Sequence, residues 1–204
     1  MDYETFFPRG IAFGKSFCNR KAERSRLAKN IKTGQHTLLI SPRRYGKTSL
    51  VKYAAEEMKV LYGEADLFVA IDAERIQQRL IAGIKTILEK INSPIEQVLG
   101  IIRDHFKKHH SQWTVGTQGV QLSLLPGKDY DPATAILEAL TALEAVLTKK
   151  KQRAVLFIDE VQEVGQVAAG KGIEGAIRHV AQETKYLSLV FSGSQRHLLT
   201  SMFF

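Results

Sequence analysis

The sequence predicts an α/β fold in which a parallel sheet is flanked by helices. Three observations carry that expectation. Thr37-Leu-Leu-Ile40 is a short apolar run that passes through a Gly-Lys-Thr loop straight into a helical pattern. Ala154-Val-Leu-Phe-Ile158 is a second apolar run, and it ends in two adjacent carboxylates, Asp159 and Glu160. Leu187-Ser-Leu-Val-Phe191 is a third, opening into Ser192-Gly-Ser194-Gln195-Arg196. Short apolar runs separated by long helical patterns suit strands buried on both faces and joined by crossover helices.

The elements follow in order. Phe6 to Phe17 is aromatic and punctuated by glycine, an extended lead-in; Asn19 is the expected N-cap of a helix through Glu23, Leu27 and Ile31, with Gly34 as its C-cap. Thr37–Ile40 is a strand, and Leu50, Val51, Ala54, Ala55 and Met58 mark one apolar helical face. Asp66-Leu-Phe-Val-Ala-Ile71 reads as a second buried strand, with Asp72 capping the helix of Ile76, Leu80, Ile84, Ile87, Leu88 and Ile91. Ser93-Pro94 breaks that helix, and the next carries Ile95, Val98, Leu99, Ile102 and Phe106 to the basic end Lys107-Lys-His-His110. Trp113 to Leu125 alternates enough for a short strand or hairpin arm before Pro126-Gly127. Asp131 and Pro132 then open a helix through Leu147, and another covers 171–185.

Composition limits the function classes. The chain has 204 residues, 44% of them hydrophobic, enough for one substantial core. No apolar run approaches the ~20 residues of a membrane span, and no signal-peptide pattern opens the chain. The single Cys18 cannot form an internal disulfide, which fits a cytoplasmic location. The net charge is +8, and its excess lies at one end: residues 1–52 hold 12 Lys and Arg against 3 acidic residues. A polyanionic ligand suits that segment, and a DNA partner is compatible with the charge although no recognition motif supports it.

The chemistry centres on Ser41-Pro-Arg-Arg44-Tyr45-Gly46-Lys47-Thr48-Ser49. A strand, a tight loop and a helix make a phosphate cradle, because loop amides and a helix N-terminus point at the same anion. Arg44, Tyr45, Gly46, Lys47, Thr48 and Ser49 are the expected cradle residues. Lys47 can reach the β- and γ-phosphates of a bound nucleotide, and the Thr48 hydroxyl can ligate Mg2+. Asp159 holds the metal shell, and Glu160 orients and polarises the attacking water. Ser194 is the candidate for contact with the γ-phosphate or the water. Phe17 and Arg20, with Phe13, are adenine-pocket candidates, and Arg178 or Arg196 is a candidate arginine finger for a neighbouring subunit. Ser41 stands where the strict pattern has its first glycine.

Four motifs in order resemble archaeal-type ATPase domains of the STAND/AAA+ group of P-loop NTPases. They are Phe17-Cys-Asn19-Arg20-x-x-Glu23-x-x-x-Leu27, Pro42-Arg-Arg-Tyr-Gly-Lys-Thr-Ser-Leu50, Leu156-Phe-Ile-Asp-Glu-Val-Gln-Glu163 and Phe191-Ser-Gly-Ser-Gln-Arg-His-Leu-Leu199. The resemblance implies a three-layer P-loop NTPase of the ASCE type, with the Asp-Glu strand beside the P-loop strand and ATP and Mg2+ as ligands. It further implies a switch that couples nucleotide state to a partner. The expected organisation is one ATPase core over 1–204, with a helical and hairpin insertion at about 75–127. Family members continue into a helical lid, often with a winged helix, and this chain ends at Phe204, so the lid is expected to be absent and hydrolysis slow. Mg2+-dependent ATP hydrolysis coupled to a protein partner or homo-oligomer is the leading function. The alternative is a non-hydrolysing nucleotide-binding switch or scaffold, or a DNA-associated module.

Overall fold

The computed structural model describes residues 20–42, 45–109, 112–118, 121–127, 130–194 and 199. In chain order they form α1 (Lys21–Thr33), β1 (Thr37–Ile40), α2 (Lys47–Glu57), β2 (Leu61–Asp66), α3 (Ala73–Glu89) and α4 (Ile95–Lys108). There follow β3 (Trp113–Gln118), β4 (Gln121–Pro126), α5 (Pro132–Lys150), β5 (Ala154–Asp159), a 3-10 turn (Val161–Gln166), α6 (Gly170–Glu183) and β6 (Leu187–Gly193). The main sheet has the order β1-β6-β5-β2 with every pair parallel. The hairpin β3–β4 is a separate antiparallel pair.

Strand alternation sorts the core into two layers. Val155, Phe157 and Val190 face Leu27 and Ile31 of α1 and Leu50, Val51 and Ala54 of α2. Leu156, Ile158, Leu189 and Phe191 face the larger cluster built from α3, α4, α5 and α6. All of Ala154 to Ile158 is buried, as a central strand covered on both faces must be. Because the parallel strands run in register, Ile40 lies opposite Gly193, and Asp66 opposite Asp159. Their C-terminal ends therefore form one edge, where ligands of open α/β sheets gather.

Three sequence expectations are corrected. The second strand is Leu61–Asp66, not 66–71. Its side chains alternate: Tyr62 joins the α1/α2 layer, while Gly63 lies so close to α3 that a Cβ would overlap the Gly83 carbonyl. A polar residue and a bare glycine in one strand weaken its apolar signal. The more apolar Leu67–Ile71 stretch is a turn: Leu67 is buried, but Ile71 is 82% exposed. Second, the Asp-Glu strand is not beside the P-loop strand, because β6 lies between β5 and β1. Third, Arg20 takes the N-cap position of α1 without a side-chain capping bond, while Asn19 lies outside the described residues.

Other boundary signals match the structure. Gly34 closes α1 at φ 74°. The Asp72 carboxylate accepts the Arg75 N–H at 2.7 Å at the start of α3, and Asp131 accepts the Thr134 N–H at 2.9 Å at the start of α5. Among the described residues no helix is long and apolar enough to cross a membrane, and no cluster of three His, Cys, Asp or Glu side chains is placed to hold a metal.

Candidate functional site

Gly46, at φ 69°, turns the loop after β1 into α2, so Lys47 is the first helical residue. The cap residue Gly46 has no side chain to offer this N-terminus, so the positive end of the helix dipole stands at the loop. Ser41 causes no backbone strain. It is not among the described residues with positive φ, and its N–H lies 3.4 Å from the Gly193 carbonyl, extending the β1–β6 pairing. Its Oγ is buried with no hydrogen-bond partner among the described residues.

Lys47 is buried, and its Nζ lies 3.3 Å from the Ser41 carbonyl oxygen and 3.8 Å from Glu160 Oε1. One residue on, the Thr48 hydroxyl lies 3.3 Å from Asp159 Oδ2. Contact survives the intervening strand because β5 and α2 share a layer: Asp159 falls on the same strand face as Phe157 and Val155, towards α2. The other oxygen, Oδ1, accepts the Glu160 N–H at 3.0 Å and the hydroxyl of Ser192 on β6. Two groups thus orient Asp159 while Oδ2 faces Thr48.

Glu160 has φ 52° and ψ 46°, a left-handed conformation that non-glycine residues adopt only under constraint. The turn brings its carboxylate into the protein, 7% exposed. Oε2 accepts Ser194 Oγ at 3.0 Å and Gln162 Nε2 at 2.5 Å, while Oε1 faces Lys47. Burying this many polar groups around one ion pair adds little stability, since desolvation offsets most of the attraction.

The sequence-predicted residues therefore divide cleanly. Lys47, Thr48, Asp159, Glu160 and Ser194 meet at one edge of the sheet, and Ser49 is buried in the first turn of α2 beside them. Arg20 donates through its guanidinium to the Tyr45 carbonyl, joining the start of α1 to the loop, while the Tyr45 side chain is exposed. Phe13, Phe17, Arg44 and Arg196 lie outside the described residues. Arg178 is on α6, paired with Glu174 at 2.6 Å. Sequence reasoning missed Ser192 and Gln162. The parity of β6 would have placed Ser192 on the face of Val190, towards α2; the backward fold of Gln162 onto Glu160 leaves no comparable signal.

No family model and no curated protein matches the chain. Solved structures do. A Walker-type ATPase of Pyrococcus abyssi superposes with a TM-score of 0.62 at 18% identity, over 97% of this chain and 51% of that one. The ORC2 protein of Aeropyrum pernix, in its ADPNP–ADP complexes, gives 0.54 at 16% identity over 98% of this chain and 47% of its own. Cdc6p of Pyrobaculum aerophilum gives 0.50 at 13% over 98% and 45%. The chain has the α/β fold of these proteins, a parallel sheet flanked by helices, and spans about half their length.

Proposed function

We propose that this chain binds ATP with Mg2+ and hydrolyses it by in-line attack of water on the γ-phosphate. The observation that carries the reading is the convergence of a buried lysine, a helix N-terminus, a hydroxyl–carboxylate pair and a second, separately held carboxylate. Thr48 and Asp159 offer hard oxygen donors, which suit Mg2+. The metal would draw charge from the β- and γ-phosphate oxygens. The amides of Gly46 to Ser49 cradle the phosphates, with Arg44 in the same loop. Lys47 leaves Glu160 for the phosphate oxygens, and Oε1 accepts a proton from the water whose oxygen lone pair attacks phosphorus. Arg20 steadies the loop through the Tyr45 carbonyl, and Phe17 with Arg20 borders the adenine.

The structural likeness extends to a Walker-type ATPase and to an ORC2 protein in ADPNP–ADP complexes, which supports the nucleotide as ligand. The chain is read as one ATPase core with an insertion at about 75–127, cytoplasmic, and coupled to a protein partner or a second copy. The test is Glu160→Gln. Binding of ATP with Mg2+, followed by titration calorimetry, should stay within about threefold, while turnover falls by at least ~100-fold. Unchanged turnover removes Glu160 from the chemistry.

A second reading, a nucleotide-binding switch without hydrolysis, draws on the Lys47–Glu160 pair, which ties the candidate base to the candidate phosphate ligand. Single-turnover measurement with labelled ATP separates the two. Product formed within the lifetime of the complex supports hydrolysis, and its absence supports the switch.

A further inference from the structure

The geometry points to Gln162 as the positioning residue of the site, the group that selects which oxygen of Glu160 faces the phosphate side. This inference rests on the hydrolytic reading above and deepens it. Gln162 is fully buried, and its Nε2 donates to Glu160 Oε2 at 2.5 Å. Ser194 Oγ, just past the end of β6, donates to the same oxygen at 3.0 Å. Two donors on Oε2 pin the carboxylate by one end, so Oε1 is the oxygen left pointing at Lys47.

The other end of the amide argues against a structural purpose. Gln162 Oε1 is buried without a hydrogen-bond partner among the described residues, an arrangement that opposes stability and that an apolar side chain would avoid. The surroundings are nevertheless shaped for it. A Cβ on Gly193 would overlap Gln162 Oε1, so the strand that leads into Ser194 also leaves the gap that the amide fills. The 3-10 turn after the strained Glu160 brings Gln162 back over the residue two positions earlier. Glu160, Gln162, Gly193 and Ser194 thus form one unit: a carboxylate, its two donors and the space that one of them needs.

A positioning role and a structural role move stability and turnover in different directions, which makes them separable. Gln162→Leu keeps the volume, removes the donor and removes the orphaned carbonyl. Its melting temperature should equal or exceed that of the parent chain, and its Kd for ATP with Mg2+ and its KM should stay within twofold. Its kcat should fall about tenfold, the usual scale for losing a group that orients a functional ligand. Gln162→Met, unbranched and equally long, is the second variant and should behave alike. A kcat within twofold of the parent overturns the assignment, as does unfolding of both variants, which would make Gln162 a structural residue. Parent chain and Glu160→Gln are measured alongside. A parent without hydrolysis, or a Glu160→Gln variant that turns over normally, overturns the hydrolytic reading itself; an active parent with a dead Glu160→Gln and an unaffected Gln162→Leu overturns the positioning role alone.

Discussion

The two edges of the parallel sheet use their polar side chains, half-buried at one and mostly buried at the other, in opposite ways. At the N-terminal edge they end on backbone. Glu144 of α5 accepts the N–H groups of Lys185, Tyr186 and Leu187 at 2.9, 3.0 and 2.9 Å, where the chain enters β6. His36, just before β1, accepts the Leu189 N–H on Nδ1 at 2.9 Å and therefore carries its proton on Nε2, which donates to the Ala181 carbonyl at 2.6 Å. At the C-terminal edge the polar groups end mostly on each other, and two buried oxygens, Ser41 Oγ and Gln162 Oε1, have no hydrogen-bond partner among the described residues. The first edge satisfies the backbone and stabilises the fold. The second holds charges and hydroxyls mainly against one another, with the Glu160 N–H and the Ser41 carbonyl oxygen drawn in from the backbone, which is how a binding site differs from a splint.

The largest effect expected from breaking the contrast is at the second edge. Lys47→Ala should weaken ATP binding in the presence of Mg2+ by at least ~100-fold, about 2.7 kcal/mol, read by titration calorimetry. Its folding should suffer far less than its binding. A Kd within threefold of the parent would deny Lys47 its phosphate role.

Glu144→Ala attacks the first edge and should do the reverse. Three backbone donors lose a charged acceptor, so we expect about 3 kcal/mol of destabilisation in urea unfolding, with ATP affinity unchanged at temperatures where the variant is folded. Glu144→Gln should fall between variant and parent. A loss below ~1 kcal/mol for the alanine variant would mean that solvent replaces the carboxylate.

His36 sharpens the comparison through pH. Burial holds its pKa below 6.5, against weaker upward pulls from the hydrogen bond to the Ala181 carbonyl and the charge of Glu144. The unfolded chain then binds the proton first. The contribution of the neutral imidazole is complete above the unfolded value and is lost as pH falls through 6.5 towards the folded pKa, by at most ~1.4 kcal/mol per pH unit. Urea unfolding at pH 7.5 and 5.5 should show a steeper acid loss in the parent than in His36→Leu. Equal slopes would show that His36 does not couple to folding.

Arg178→Ala should have the smallest effect. Arg178 is 45% exposed on its side chain and pairs with Glu174 one helical turn away, a contact that contributes less than ~0.5 kcal/mol. Turnover should change by less than twofold; a tenfold fall that deepens at low protein concentration would instead make it an arginine finger for a second copy.

Much of this was legible from the chain alone, because periodicity and short-range chemistry are local properties. The strands β1, β5 and β6, the caps Gly34, Asp72 and Asp131, and the residues Lys47, Thr48, Asp159 and Glu160 all announce themselves within a few positions of sequence. The strand Leu61–Asp66 did not. Its glycine is there to admit α3, and a long-range contact of that kind leaves a gap in the hydrophobic pattern instead of a peak. The exposed turn at Phe68, Val69 and Ile71 misled for the opposite reason, since apolar content does not report exposure.

The sequence by itself determined which groups could do chemistry and that each stands at the end of a strand or the start of a helix. Only the tertiary structure decided which of their atoms meet. Inserting β6 between β1 and β5 brought Ser192 to Asp159 and Ser194 to Glu160, and the turn after β5 laid Gln162 over its neighbour. The reason is physical: residue type sets a side chain's charge and donors, but sheet order and side-chain parity set the few ångströms over which a hydrogen bond exists.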